Sequence, residues 1–392
     1  MSEWKKVKLR DYCLKIGSGS TPKGGSTVYI ESGTSLIRSQ NVYNLSFDYN
    51  GLTHITEDAA NKLKGVTILN DDILLNITGD SVARTCIVPN DVLPARVNQH
   101  VAIVRTDCKK INSRFLNYYL ASPRMQAHML SLAVGKGASR NAMTKQMIEN
   151  FEVPCPPLPT QHRIATILSR YDSLIENYQK QIKLLEEAAQ RLYKEWFVDL
   201  RFPGHENTKI VDGVPEGWEK KPVDSIYSIK YGKNLSTKLI AESGKYPVYG
   251  ANGVIGYYDR FNCSEQVVLI TSRGNGSGDV LMTYHQDAFI TNNSFIVSPL
   301  KDYSYCQVPF TYHFLKNANF RAVRTGAAQP QLTNQSIHTI DVILPSKDII
   351  IDYCDKVSYS NKKIINLRNQ IRLLTEARDR LLPKLMSGEI QV

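Results

Sequence analysis

Two stretches of the chain place apolar residues at steps of alternately four and three. In the first, Ile164, Leu168, Tyr171, Ile175, Tyr178, Ile182, Leu185, Ala189, Leu192 and Trp196 keep that spacing without a miss. A 3.5-residue repeat makes a narrow seam for one partner helix in a left-handed supercoil. The second runs through Tyr353, Val357, Ser360, Ile364, Leu367, Ile371, Leu374, Arg378, Leu381 and Leu385, and only Ser360 and Arg378 break it. One such stripe is ordinarily a core helix packed on its own domain. Two matching seams, each too narrow and long for a globular face, predict instead an antiparallel pair. The first covers about 33 residues, or roughly 50 Å at 1.5 Å per residue.

The remaining segments, about 1 to 157 and 218 to 345, contain β-rich apolar runs such as "DILLNI", "HVAIVR", "EQVVLITS" and "AFITNNSFIVSP", separated by Gly, Asn and Asp turns. A short helical stretch recurs, "RFLNYYLAS" against "PFTYHFLKN". Each half therefore reads as a mixed α+β domain on a helical stalk. Pro159 and Pro345 suit the approach to the two long helices, and "FPGHENTKIVDGVPEGW" reads as a linker.

The halves also echo each other by position. "GASRNAMTKQMIENFEVPCPPLP" (137–159) matches "GAAQPQLTNQSIHTIDVILP" (326–345) at Gly137/Gly326, Ala138/Ala327, Met143/Leu332, Thr144/Thr333, Gln146/Gln335, Ile148/Ile337, Phe151/Ile340 and Val153/Val342. "IKLLEEAAQRL" matches "IRLLTEARDRL" at the same offset of 189, and Trp4 with Asp11 faintly echoes Trp218 with Asp224 at offsets near 214. A period of half the chain means duplication of a domain with its tail. The drop in offset makes the first domain longer by 25 residues. The resulting division is a first domain at 1–157, a helix at 158–200, a linker at 201–217, a second domain at 218–345 and a second helix at 346–392.

Composition adds less. A chain of 392 residues suggests two or three domains, and 42% hydrophobic with 22% charged residues is ordinary for a globular protein. No apolar run approaches the roughly 20 residues of a membrane span, and "MSEWKKVKLRDY" has no apolar core for a signal peptide, so a soluble cytoplasmic protein is expected. Seven cysteines are scattered singly without C-x-x-C, and the eight histidines are equally dispersed, so no metal site is expected. The net charge of +11 and pI near 9.1 favour a polyanionic partner.

Catalytic motifs are mostly missing. There is no G-x-x-x-x-G-K-[ST] phosphate cradle and no Asn/Asp-Pro-Pro-Tyr loop to grip an exocyclic amine. "RGNGSGD" lacks dinucleotide-binding spacing and reads as a turn between strands, and Glu219-Lys220-Lys221 reads as surface charge rather than as part of a nuclease site. The polar residues look like readers. In the first half they are Ser18, Ser20, Thr21, Lys23, Arg38, Gln40, Asn41, Thr78, Arg84, Asn98, Gln99, Lys136 and Arg140. In the second they are Lys233, Asn234, Tyr249, Asn252, Arg273, Asn275, Asn292, Asn293, Arg321, Arg324, Gln329 and Gln331. Arg and Lys suit guanine edges and Asn and Gln adenine edges, and all can hold phosphates. For any one of them a solvated loop side chain is the alternative. The pairing of Asn98-Gln99 with Asn292-Asn293 raises the group above its members.

On "YKEWFVDLRFPGHE", "GVPEGWEKKPVDSI", "YPVYGANGVIGYYD" and the terminal "LLPKLMSGEI", the whole chain resembles the DNA-specificity subunit of Type I restriction-modification systems. The resemblance implies a non-catalytic subunit with two target-recognition domains, each reading one part of a split DNA target. It implies helices that set the spacing and dock two methyltransferase subunits, with restriction (motor-nuclease) subunits joining the complex. S-adenosylmethionine, ATP and Mg are then expected on those partners. Leu168, Ile175, Ile182, Leu185, Ile364, Leu367, Ile371 and Leu374 would hold the helices together. Trp196, Phe197, Leu381 and Leu385 are candidates for partner contact, with a self-contained cap as the alternative. Unlike readers predict an asymmetric target, and a rod of roughly 50 Å against about 34 Å per DNA turn places them near successive major-groove faces. The rival readings are a self-contained DNA-acting nuclease with an unrecognised site and a non-enzymatic coiled-coil scaffold.

Overall fold

The computed structural model of the chain describes residues 4–134, 141–326 and 330–392. It divides into one unit of Met1–Glu176 with Arg372–Val392 and another of Asn177–Ile371. Each unit is thus a mixed domain together with part of each of two long helices, Leu158–Tyr193 and Lys347–Met386.

In the first unit the central sheet is antiparallel, with the strands Cys13–Ser18, Val101–Thr106, Ile73–Asn76 and Thr85–Ile87 side by side in that order. The run "ILLN" is buried at every position because both faces are covered. Alternate residues point to opposite faces: Ile73, Leu75, Ala102 and Val104 join a core with helix Ser113–Ala121, while Leu74, Val101 and Ile103 join a second core with Ile37, Ala95 and Val97. That second layer is a smaller sheet of Ala95–Val97, Thr34–Ile37, Thr53–Ile55 and Tyr29–Ile30, whose first two strands are parallel.

The second unit repeats the plan. Tyr227–Tyr231, Ser294–Pro299, Val268–Thr271 and Val280–Met282 form the same antiparallel order. Val268, Ile270, Phe295 and Val297 face the helix Val308–Asn317, and Leu269 faces the smaller core with Tyr249 and Ile290. Its second sheet again holds a parallel pair, Tyr246–Gly250 with Phe289–Ile290, extended by the hairpin strand Gly253–Tyr258.

The sequence echo now has a physical reason. Thr144 and Thr333 each cap a short helix, accepting from Met147 N–H at 3.3 Å and Ser336 N–H at 3.1 Å. Met143 and Leu332, Ile148 and Ile337, and Phe151 and Ile340 are all buried beside those caps. The strands that follow, Glu152–Pro154 and Asp341–Leu344, pair with Lys6–Lys8 and Glu219–Pro222 and close each domain where its long helix begins. Trp4 and Trp218, the faint echo, pack into the respective cores.

The long helices run antiparallel within each unit. In the first, Ile164 and Leu168 share a core with Leu382 and Leu385, and the seam break Arg378 makes an ion pair with Asp172 at 2.7 Å. Asp172 also accepts from the Tyr118 hydroxyl, so a polar bridge ties the domain to both helices. In the second, Ile182 packs with Ile364 and Leu367, and Leu185 and Ile371 lie at the margin. Here Glu186 pairs with Arg368 at 2.9 Å and accepts from Tyr284 at 3.2 Å, while the Arg368 guanidinium lies 3.7 Å from the Tyr284 ring centroid. Ile175 is buried and Leu374 half-buried. The stretch read as a linker holds more order than expected. It carries a short turn of helix at His205–Asn207 and a hairpin of Ile210–Val211 with Val214–Pro215, turned by Asp212 and Gly213, both with positive φ.

Candidate nucleic-acid interface

In both units four strand ends meet on one edge of the central sheet: the C-termini of the first and third strands in the orders given and the N-termini of the second and fourth. The loops there are stitched by the same backbone hydrogen bonds. Gly232 N–H donates to the Ser294 carbonyl (3.0 Å) as Gly19 N–H does to that of Val101 (3.1 Å). Lys233 N–H donates to Ile290 (2.9 Å) as Ser20 does to Val97 (3.1 Å), and Ser272 N–H to Asn293 (2.8 Å) as Ile77 does to His100 (3.0 Å). Both glycines are required: a Cβ at Gly19 would stand 1.8 Å from the Val97 carbonyl oxygen, and one at Gly232 would stand 2.3 Å from that of Thr291. The pair was missed by sequence reading, although Ile16 and Gly19 recur as Ile229 and Gly232 at an offset of 213.

In the second unit this edge gathers the exposed side chains of Lys233, Asn252, Arg273, Asn275 and Gln331, with Asn292 and Asn293 half-exposed beside them. Asn252 is placed by Thr271, whose hydroxyl donates to the neighbouring Ala251 carbonyl at 2.6 Å. "RGNGSGD" is indeed the turn joining Val268–Thr271 to Val280–Met282, with Gly274 and Gly278 at positive φ. Arg321 is held at 2.6 Å from Asp279 at the end of that turn. Asn234 is exposed in the loop after Lys233, and Arg324 is half-buried.

The first unit's edge holds Ser18, Ser20, Thr21, Lys23 and Gln99, all exposed, with Thr78 half-buried. A histidine that sequence reading passed over links three of them. The Thr78 hydroxyl lies 2.6 Å from His100 Nδ1, Gln99 Nε2 lies 3.1 Å from His100 Nε2, and the Gln99 amide meets the Thr21 hydroxyl. Arg38 and Gln40 both donate to the Gly51 carbonyl, at 2.8 and 3.2 Å, and the Arg84 guanidinium sits over Tyr43 at 4.6 Å. Lys136, Arg140 and Gln329 lie outside the described residues.

Several candidates are corrected by their surroundings. Asn41 is fully buried: its amide donates to the Asp48 and Asn50 carbonyls and accepts from Arg38 N–H at 3.0 Å, so it staples a turn and has no free edge. Tyr249 is buried too, its hydroxyl between His285 Nδ1 (2.9 Å) and Tyr284 N–H (3.2 Å), and burial pushes the phenol pKa up. The pairing of Asn98-Gln99 with Asn292-Asn293 is shifted by one. Shared hydrogen bonds align Asn98 with Thr291, both buried turn formers, and set Gln99 against Asn292 and His100 against Asn293.

The candidates for partner contact are likewise occupied by the chain itself. Trp196 and Phe197 pack on Tyr353 with ring centroids at 6.1 and 5.2 Å, and Leu381 and Leu385 belong to the first unit's core. Glu219 and Lys221 pair with each other, Lys221 also donates to the Tyr303 hydroxyl at 3.0 Å, and Lys220 pairs with Asp341 at 3.3 Å. Among the described residues no group of three or more His, Cys, Asp or Glu side chains is placed to hold a metal ion, and no helix is long and apolar enough to cross a membrane.

Comparison with known proteins adds the family. Residues 1–187 and 215–372 match the Type I restriction modification DNA specificity domain. The chain is 26% identical over 420 residues to the Type I restriction enzyme MjaIX specificity subunit of Methanocaldococcus jannaschii, covering all of this chain and 94% of that protein. It is 23% identical over 483 residues to the HindI specificity subunit of Haemophilus influenzae, covering the whole of both. In fold it is similar to the crystal structure of a Type I restriction-modification S subunit from M. genitalium, with a TM-score of 0.58 at 18% identity over 97% of this chain and 96% of that one. With two copies of the domain spanning most of its length, the chain belongs to the Type I restriction-modification DNA specificity family, whose members are non-catalytic recognition subunits.

Proposed function

We propose that the chain reads a two-part, asymmetric DNA target, one part with each sheet-edge loop cluster, while the helix pair fixes the spacing and docks two methyltransferase subunits, through which restriction subunits join. The observation that carries this reading is the repeated edge: one backbone frame, closed by Gly19 in one unit and Gly232 in the other, presents different donors and acceptors in each. Unlike readers on like frames suit unlike half-sites. The +11 charge supplies the sequence-independent attraction to phosphates. S-adenosylmethionine would be held by the methyltransferase subunits, and ATP and Mg by the motor-nuclease subunits.

The test is to co-express the chain with its cognate methyltransferase subunit and map every methylated base in plasmid DNA. A two-part asymmetric motif with a fixed gap is expected. Loss of methylation when the chain stops after Pro215 would follow from the missing second reader. A single continuous motif, or methylation independent of this chain, would refute the reading.

A further inference from the structure

The shared hydrogen bonds include one backbone slot whose side chain differs in length and charge between the units. Gly274 N–H donates to the Pro330 carbonyl and Leu332 N–H to that of Ser272, at 2.9 and 2.8 Å; Gly79 N–H donates to Asn141 and Met143 N–H to Ile77, at 2.9 and 2.8 Å. The residue enclosed by these bonds is bridged to Gln331 in one unit and to Ala142 in the other. In the first unit it is Thr78, short and already engaged with His100. In the second it is Arg273, exposed.

Three candidate arginines lie in the second unit, and their surroundings separate them. Arg321 is neutralised by Asp279 at 2.6 Å, which also fixes the far end of the glycine turn. Arg324 has its Nε and Nη2 atoms buried. Arg273 has no carboxylate within ion-pair distance among the described residues and is exposed on the edge, among the loops of Asn252, Asn292–Asn293 and Gln331. A planar guanidinium on a pinned backbone matches the O6 and N7 acceptors that guanine presents in the major groove, whereas a lysine or a lone hydroxyl lacks that fork.

Resting on the two-part reading above, we propose that Arg273 reads a guanine in the second part of the target, and that Thr78, in the same slot, cannot do so in the first. The frame sets where the residue points; the side chain sets which base is accepted.

The experiment uses the full chain in complex with its methyltransferase subunits. With Arg273→Ala, the methylation map should become degenerate at one G·C pair of the second part, discrimination falling about 10–100-fold, while the first part stays unchanged. Arg273→Lys, which keeps the charge but not the fork, should relax the same pair. Arg321→Ala should weaken binding without altering the motif. Fluorescence anisotropy provides a check independent of methylation: 7-deazaguanine at the read position should weaken the wild-type complex and leave the Arg273→Ala complex indifferent. A uniform loss with an unchanged motif, a change in the first part, or a second part without guanine on either strand would overturn the proposal. If the wild type itself directs no two-part motif, the broader reading fails instead.

Discussion

The two domains share their frame and differ in what the frame carries. Their central sheets have the same strand order and the same closing glycines. The offset between equivalent residues falls from 213 at Gly19/Gly232 to 195 at Gly79/Gly274, so 18 of the first domain's 25 extra residues lie between its first edge loop and its third strand. That is where it has the helix Glu57–Lys62, the added strand Tyr29–Ile30 and the small hairpin of Val42–Tyr43 with Ser46–Phe47. Duplication has kept what a core demands and varied what only solvent or a ligand meets.

The polar ties between domain and helices sharpen the contrast, since the two units place them differently. Arg378 and Asp172 are 13% and 17% exposed; Arg368 and Glu186 are 39% and 42% exposed. Arg378→Ala leaves the Asp172 carboxylate largely buried, bonded to the Tyr118 hydroxyl but without its ion-pair partner. The expected loss is about 3–5 kcal/mol, seen as an earlier unfolding transition in calorimetry. Replacing both partners, Arg378→Leu with Asp172→Leu, should restore part of it, because an apolar pair needs no desolvation while the buried Tyr118 hydroxyl loses its acceptor. Equal losses for the double and single variants would show that the bridge does more than satisfy its own charges.

The closing glycines test whether the frames are equivalent. Gly19→Ala and Gly232→Ala each push a methyl group into a carbonyl, so either should cost about 2–3 kcal/mol and loosen the edge loops in hydrogen exchange. A large effect at one and none at the other would break the equivalence.

Much of this plan was legible in the sequence. The apolar echo was readable because capping and core packing need the same residues wherever the frame recurs, and the 3.5-residue seam because a helix pair imposes it. Even Arg378, a break in that seam, gained a reason once Asp172 faced it. The readers were less legible. Asn41, Tyr249 and Asn98 have the residue types of base contacts, yet their edges are used up by turns and core, which composition cannot reveal. The one-residue shift at Asn98 arose because loop equivalence is set by backbone hydrogen bonds, and similar letters nearby misalign it.

A difference inside the cores should appear with pH. The recurrent helices align Phe115 with Phe310 and place Tyr118 opposite His313. Burial first, and the charge of Lys316 second, lower the His313 pKa from 6.5 to about 4, with its ring stacked on Tyr193 at 5.6 Å. The unfolded chain therefore binds the proton more readily, and stability present above about pH 6.5 is lost as pH falls toward 4. Between pH 8 and pH 5 the second unit should lose about 2 kcal/mol, and His313→Gln should flatten that slope. An unchanged slope in the variant would place the titration elsewhere.

The smallest effect belongs to the exposed tie. Arg368→Ala removes an ion pair that water already screens and a guanidinium stacked on Tyr284. Exposed pairs contribute under about 1 kcal/mol, and a cation–π contact of this kind about as much. The loss should therefore stay near 1 kcal/mol and shrink with added salt, leaving mainly the stacking part at high ionic strength. Arg368→Lys should retain part of the charge term while losing the planar stack. A loss as large as that of Arg378→Ala would mean that exposure does not govern the strength of these ties, and the contrast drawn between the two units would fail at its most quantitative point.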